Sequence, residues 1–382
     1  VGNDAMDVHG GKAIMMGPKN YLGRGYMAAP IAITVEGANI LTRSLIIYGQ
    51  GAIRCHPFVL RELQAAADED HQRGLVEFDN ALFGHVGYAI SNVARSFIMA
   101  LTHAKFSRVP LNTPTRRYYQ NINRYSAAFA LASDFAMLTL GGGLKKRELL
   151  SARLGDVLSS IYLASCVLKH FENQGRRATD LPLVEWSIRT LMYQAQESLH
   201  AFLRNLPNRW AAALLRVFIF PRGRTYSAPA DELGEKIVDL ICTSGEARER
   251  LCEYAYTTLE PGNPLGLLQE AMELAEANAP LEKRLRKAQK EGVLKSDYLG
   301  TQIDEALQSE LINADEAEAL RDYHEKVSAL LAVDDFAPEE LIRRPGSAGA
   351  APVKKATKRK TKARKKSTRK PVKKDQDAEP AD

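Results

Sequence analysis

The chain has 382 residues, 45% hydrophobic and 26% charged, a composition that builds globular modules and is too long for one ordinary core. Its net charge of +6 misleads: Lys354 to Lys374 holds thirteen Lys or Arg and no acid, and removing those thirteen leaves −7 for everything else. A body of that sign excludes general nucleic-acid binding by the whole chain.

Residues 1 to about 30 are rich in glycine and small residues, with loop punctuation at Gly17-Pro18 and Gly23-Arg24-Gly25. Val1-Gly-Asn-Asp-Ala has no signal-peptide pattern and reads as interior sequence, so a fragment of a longer protein is expected. Ile31, Ile33 and Val35 alternate with Ala32 and Thr34, which predicts a short extended segment. The pattern changes at Glu36-Gly37, and the run from Ala38 through Ile40, Leu41, Leu45, Ile46 and Ile47 has helical spacing as far as Gly49-Gln50-Gly51.

After His56-Pro57 the periodicity predicts helices over 58–67, 77–103, 114–140, 144–173, 181–205, 209–220, 231–243, 263–278 and 300–333. Asn313 followed by Glu316 is a capping-box arrangement opening the last helix. Pro207, Pro221, Pro261 and Pro280 are expected between helices, where a missing backbone donor does least harm. No run of about 18 uncharged apolar residues occurs, which argues against a membrane span. Cys55, Cys166, Cys242 and Cys252 share no CxxC spacing and fit reduced thiols in a cytoplasmic protein. From about Arg344 onward a Pro/Gly/Ala stretch leads into the Lys/Arg run, with almost nothing to bury, so disorder is expected there.

Two stretches carry a family resemblance: Asp7-Val8-His9-Gly10-Gly11, and Ile31 through Glu36-Gly37-Ala38-Asn39 to Arg43. They resemble the acyl-CoA dehydrogenases, in which a Gly-Gly turn closes one helix and a Glu-Gly step about two dozen residues on opens the final one. The continuation, through Tyr48-Gly-Gln-Gly-Ala-Ile-Arg-Cys-His-Pro57, Leu181-Pro-Leu-Val and Phe220-Pro221, is similar to the bacterial FadE-type branch, which appends a further helical domain. The resemblance implies an all-α chain: residues 1–56 the end of the catalytic helical bundle, 57–340 the bacterial-type C-terminal helical domain, and 341–382 a disordered basic tail. It also implies oxidation of fatty acyl-CoA to trans-2-enoyl-CoA, the first step of fatty acid β-oxidation. Glu36 would be the catalytic base, Glu36 and Gly37 would bind substrate, and Gly10 and Gly11 would meet FAD of a neighbouring subunit. Asp7 and Ala38 depart from the Gln and Thr usual in the family, so no cofactor role passes to them. Electron-transfer flavoprotein as acceptor, a homo-oligomer and a cytoplasmic location, peripheral to the inner membrane as a variant, complete the expectation. This chain alone should be inactive, because the resemblance places most of the pocket upstream.

The residues themselves bear on Glu36. Removing the α proton of a thioester needs a base, and a carboxylate, with a pKa of about 4.3 in water, becomes a stronger one when desolvated. Glu36 follows an apolar run, and Arg43 is the nearest basic residue in sequence, about two helical turns away. Gly37 lets backbone approach a flat ligand, and a helix start there would offer free amides to a growing oxyanion. The plain alternative is a solvated glutamate favoured by the helix dipole.

Other candidates rank lower. Gly141-Gly142-Gly143 with Lys145 and Lys146 lacks the full phosphate-loop pattern and reads better as an interhelical turn. The eight histidines show no pair with metal-site spacing on one helix face, so no metal is expected. Cys55-His56 reads as a boundary. The run from Trp210 to Phe220, flanked by Arg209, Arg222 and Arg224, fits a membrane-surface helix or a buried core helix, the latter favoured. The basic tail suits anionic membrane, nucleic acid without sequence choice, or no partner. The rival to the enzyme is a helical binding module tethered through that tail to membrane or nucleic acid.

Overall fold

The computed structural model describes residues 1–35, 37, 40–109 and 114–338. Among these every regular element is helical, as expected of an all-α chain. The basic tail at 341–382 lies outside the described residues.

The first segment holds α1 (Gly2–His9), α2 (Gly11–Ile14) and α3 (Tyr21–Ala28), then a 3-10 turn over Ala29–Ile31 that continues into α4 (Ala32–Val35). The extended segment expected at 31–35 is therefore helical. A five-residue alternation fixes a strand only when another strand pairs with it. Here Ile31, Ile33 and Val35 are exposed, and Pro30 supplies the preset φ that starts a helical turn.

The segment after Gly37 forms a π-wound helix, Ile40–Gln50, and then α5 (Gly51–Arg54). Its Tyr48 is buried and donates to Ser133 Oγ at 3.4 Å. The main bundle follows: α6 (Val59–Ala66), α7 (His71–Leu101), α8 (Arg116–Leu140), a 3-10 turn over Gly141–Lys146, α9 (Glu148–Asn173), α10 (Leu181–Asn205) and α11 (Arg209–Ile219). On α10 the buried residues Val184, Ile188, Met192, Ala195, Leu199 and Phe202 recur every three or four positions, a stripe that lies along α9. Leu154, Val157, Leu168 and Phe171 of α9 meet it, with Tyr125, Leu131 and Ala132 of α8 behind. Truncating any one of these leucines costs about 2–5 kcal/mol. α8 and its following turn, Arg116–Lys146, are long and apolar enough to cross a membrane, yet α8 supplies ten buried residues to this bundle. It is a core helix.

Beyond α11 come α12 (Asp231–Cys242), α13 (Glu246–Cys252), α14 (Pro264–Lys290), α15 (Leu299–Gln308) and α16 (Ala314–Leu331). Leu285, Ala288, Leu294, Ile303, Ala306 and Leu320 make a second apolar cluster. The sequence reading did not include α13 and began α7 at 77 where it begins at His71, and two further boundaries differ. α14 runs through Pro280, because Leu281 and Leu285 on its far side pack into that cluster and outweigh one lost backbone bond. The stretch 300–333 is two helices, split where Glu310 takes φ 56. The capping box is present: Asn313 accepts from Glu316 N, and Glu316 accepts from Asn313 N, both at 2.9 Å. The four cysteines are free thiols.

Candidate functional site

α1 stops at Gly10, which takes φ 61 and donates its N–H to Met6 O at 2.9 Å and Asp7 O at 3.2 Å. Only glycine enters that region without strain. A Cβ at Gly10 or Gly11 would meet nothing within 4 Å, so the backbone of the Gly-Gly turn lies open. The turn closes a helix, as the resemblance implied. Asn20, 3% exposed, holds the next turn: its Nδ2 donates to Ala13 O and Met15 O, and its Oδ1 accepts from Leu22 N and Gly23 N. The sequence reading passed over it, although an asparagine before a helix start is a capping signal.

Glu36, with Ala38 and Asn39, lies outside the described residues. Gly37 takes φ 79, in the left-handed region that favours glycine, and the helix Ile40–Gln50 follows. That helix is fastened to the bundle by Arg43, whose Nη1 is 2.7 Å from Asp156 Oδ1 on α9. The basic residue nearest to Glu36 in sequence is thus already held by a carboxylate. The 780 Å³ cavity near the first segment is lined by Lys19, Tyr21, Arg24, Pro261 and Leu330 among others, and by none of Gly10, Gly11 and Gly37.

The fold also joins residues that sequence spacing kept apart. His56 precedes α6, His85 lies on α7 and Asp134 on α8, and one potential ligand atom from each falls within 4.8 Å of the others. His56 Nδ1 accepts from Phe58 N and Val59 N at 3.2 and 3.1 Å, capping α6. That acceptor role places the ring proton on Nε2, which donates to Asp134 Oδ1 at 3.0 Å. His85 Nδ1 meets Glu62 Oε1 at 2.8 Å, and the two imidazoles stand 4.6 Å apart. With both nitrogens of His56 engaged, the group cross-links α6, α7 and α8 and is poorly set to take a cation at Nε2. Gly141-Gly142-Gly143 is the interhelical turn expected of it, with Gly141 at φ 49.

No solved structure matches this chain. The family model described as acyl-CoA dehydrogenase, C-terminal, bacterial type, matches residues 53–336, spanning α6 to α16 and ending just before the described residues do. With an all-helical body over that range and a left-handed glycine closing α1 ahead of it, this chain belongs to the acyl-CoA dehydrogenase family, in its bacterial type with a C-terminal helical domain.

Proposed function

We propose that the chain is the C-terminal part of a flavin-dependent enzyme that oxidises fatty acyl-CoA to trans-2-enoyl-CoA, the first step of fatty acid β-oxidation. Membership of the family across residues 53–336 carries this reading. Glu36 is the base for the α proton. The Arg43–Asp156 pair supports that role, because it engages the basic residue nearest to Glu36 in sequence. Gly37, with φ 79, leaves room for the thioester, and backbone N–H groups there serve the oxygen on which charge grows.

The Gly10–Gly11 turn suits the edge of a flat ring system, because no side chain stands over its backbone. FAD, when bound, supplies the acceptor for the hydride that leaves the β carbon. In a homo-oligomer this turn serves the flavin of a neighbouring subunit. Electron-transfer flavoprotein takes the electrons onward, and the cytoplasm is the compartment.

The test is Glu36→Gln in the full-length protein, which keeps size and shape and removes the base. Bound flavin should remain, while its anaerobic reduction by fatty acyl-CoA falls by several orders of magnitude. Near-normal reduction would overturn the assignment.

A further inference from the structure

Acidic residues are distributed very unevenly. Residues 80–133 contain six Lys or Arg and no Asp or Glu, and residues 198–230 contain five and none. Setting aside these eleven and the thirteen of the Lys354–Lys374 run takes the net +6 to −18 for the remainder. The first stretch runs from Asn80 on α7 to Ser133 on α8, the second from Ser198 near the end of α10 through α11 to Ala230, and the two pack together. Ser96 Oγ donates to Phe218 O at 3.3 Å, the rings of Phe97 and Phe218 meet edge to face at 5.9 Å, and Arg222 Nη1 donates to Leu101 O at 3.1 Å. Arg124, 2% exposed, sits over the rings of Tyr125 and Tyr226 at 5.6 and 5.2 Å and donates to Thr225 Oγ1 at 3.3 Å. Positive charge is dense enough there that His103 is held below its ordinary pKa, first by burial and then by Arg124, Arg222, Arg117 and Lys105.

This basic region also carries apolar side chains in water. Trp210, Leu214 and Val217 share the outer side of α11, opposite the buried Ala212, Leu215 and Ile219, and Trp210 is 88% exposed. On α7, Phe83, Ile90, Ile98 and Leu101 form a stripe opposite the buried Ala81, Asn92 and Ser96. From Phe83 to Leu101 it runs about 27 Å at helical rise. At 100° per residue, Phe97 and Phe218 lie on the flanks through which the two helices touch, so both apolar stripes face outward on the same side. Arg209 and Arg216 stand exposed beside the α11 stripe.

We propose that this outward face of α7 and α11 docks on an anionic lipid bilayer, in which the apolar stripes enter the headgroup boundary and the arginines meet lipid phosphates. Charge complementarity selects the lipid: a face rich in arginine on an otherwise acidic protein is drawn to a negative leaflet and turned toward it. An exposed Trp and aliphatic side chains, rimmed by arginines that can reach upward, are the composition of an interfacial helix and not of a groove that tracks a nucleic-acid backbone. The face is independent of the chemistry proposed for Glu36. Of the two readings of the Trp210 run, the core helix holds only for its inner side.

The test uses the whole chain and a version ending at residue 340, so that the basic tail is removed as a cause. Each is floated with vesicles of 30% phosphatidylglycerol in phosphatidylcholine, and with phosphatidylcholine alone. Both versions should bind the anionic vesicles, with a blue shift of tryptophan emission, and bind pure phosphatidylcholine at least tenfold less. Trp210→Ser with Leu214→Ser, and separately Arg209→Gln with Arg216→Gln, should each weaken binding at least tenfold with unchanged helical circular dichroism. Loss of all binding on removing the tail would overturn the proposal. So would wild-type binding by the Trp210/Leu214 variant, or variants that lose affinity for duplex DNA and keep it for vesicles.

Discussion

His56 Nε2 and Asp134 Oδ1, 78 residues apart in sequence, meet at 3.0 Å with 8% of each side chain exposed. The other carboxylate oxygen, Asp134 Oδ2, is buried and makes no hydrogen bond. The pair ties the start of α6 to the middle of α8, and His56 caps α6 with its other nitrogen. His56→Ala therefore strands the carboxylate completely and removes the cap, which should cost about 2–4 kcal/mol of stability in urea denaturation. Asp134→Asn keeps an acceptor for His56 and removes the buried charge, so its loss should be about 1 kcal/mol or less. Equal losses from the two would show that the stranded charge is not what matters.

Three phenols give the protein an alkaline limit. Burial raises the pKa of Tyr48, Tyr125 and Tyr226 above the ordinary value of 10.0, with Arg124 pulling the last two partly back. As pH climbs past 10 the unfolded chain sheds these protons while the native chain keeps them. Unfolding is then favoured by about 1.4 kcal/mol per pH unit for each tyrosine, until its native pKa is reached. Helical signal followed against pH should collapse cooperatively above pH 10, and Tyr48→Phe should flatten the slope. An unchanged slope in that variant would remove Tyr48 from the account.

Gly17 holds the first segment against the end of α16. A Cβ there would run into the carbonyl oxygen of Val333, and Lys19 N donates to that same carbonyl at 3.1 Å while Lys19 Nζ pairs with Asp335. Gly17→Ala should cost about 1–3 kcal/mol through overpacking and expose Lys12 and Lys19 to trypsin. Gly25→Ala, where a Cβ meets nothing, is the control and should leave cleavage unchanged.

Helices with long apolar stripes were legible from sequence because tertiary packing asks of them only what their own periodicity offers. α9 and α10 are of this kind, and Asn313 with Glu316 announced the start of α16 through purely local bonds. What depends on distant partners was not legible. The run Ile31 to Val35 suits a strand or a helix equally at five residues, and only its surroundings decide. Pro280 signals a break locally, and only the cluster around Leu285 shows why the helix continues. His56, His85 and Asp134 sit on three elements, so no spacing along the chain could bring them together. The acid-free stretches could be counted in the sequence, but their meeting on one outward side needed the contact between Phe97 and Phe218. Glu36 rests on resemblance alone.

The apolar interior is divided. Among the described residues, those around Leu285, Ile303 and Leu320 share no buried side chain with those around Leu131, Leu154 and Leu199. Damage to either nucleus stays within its own borders, and lesions placed one in each should add without synergy. Amides of α14 to α16 can then exchange with heavy water through an opening that leaves α8 to α11 closed, so that the protein melts by parts.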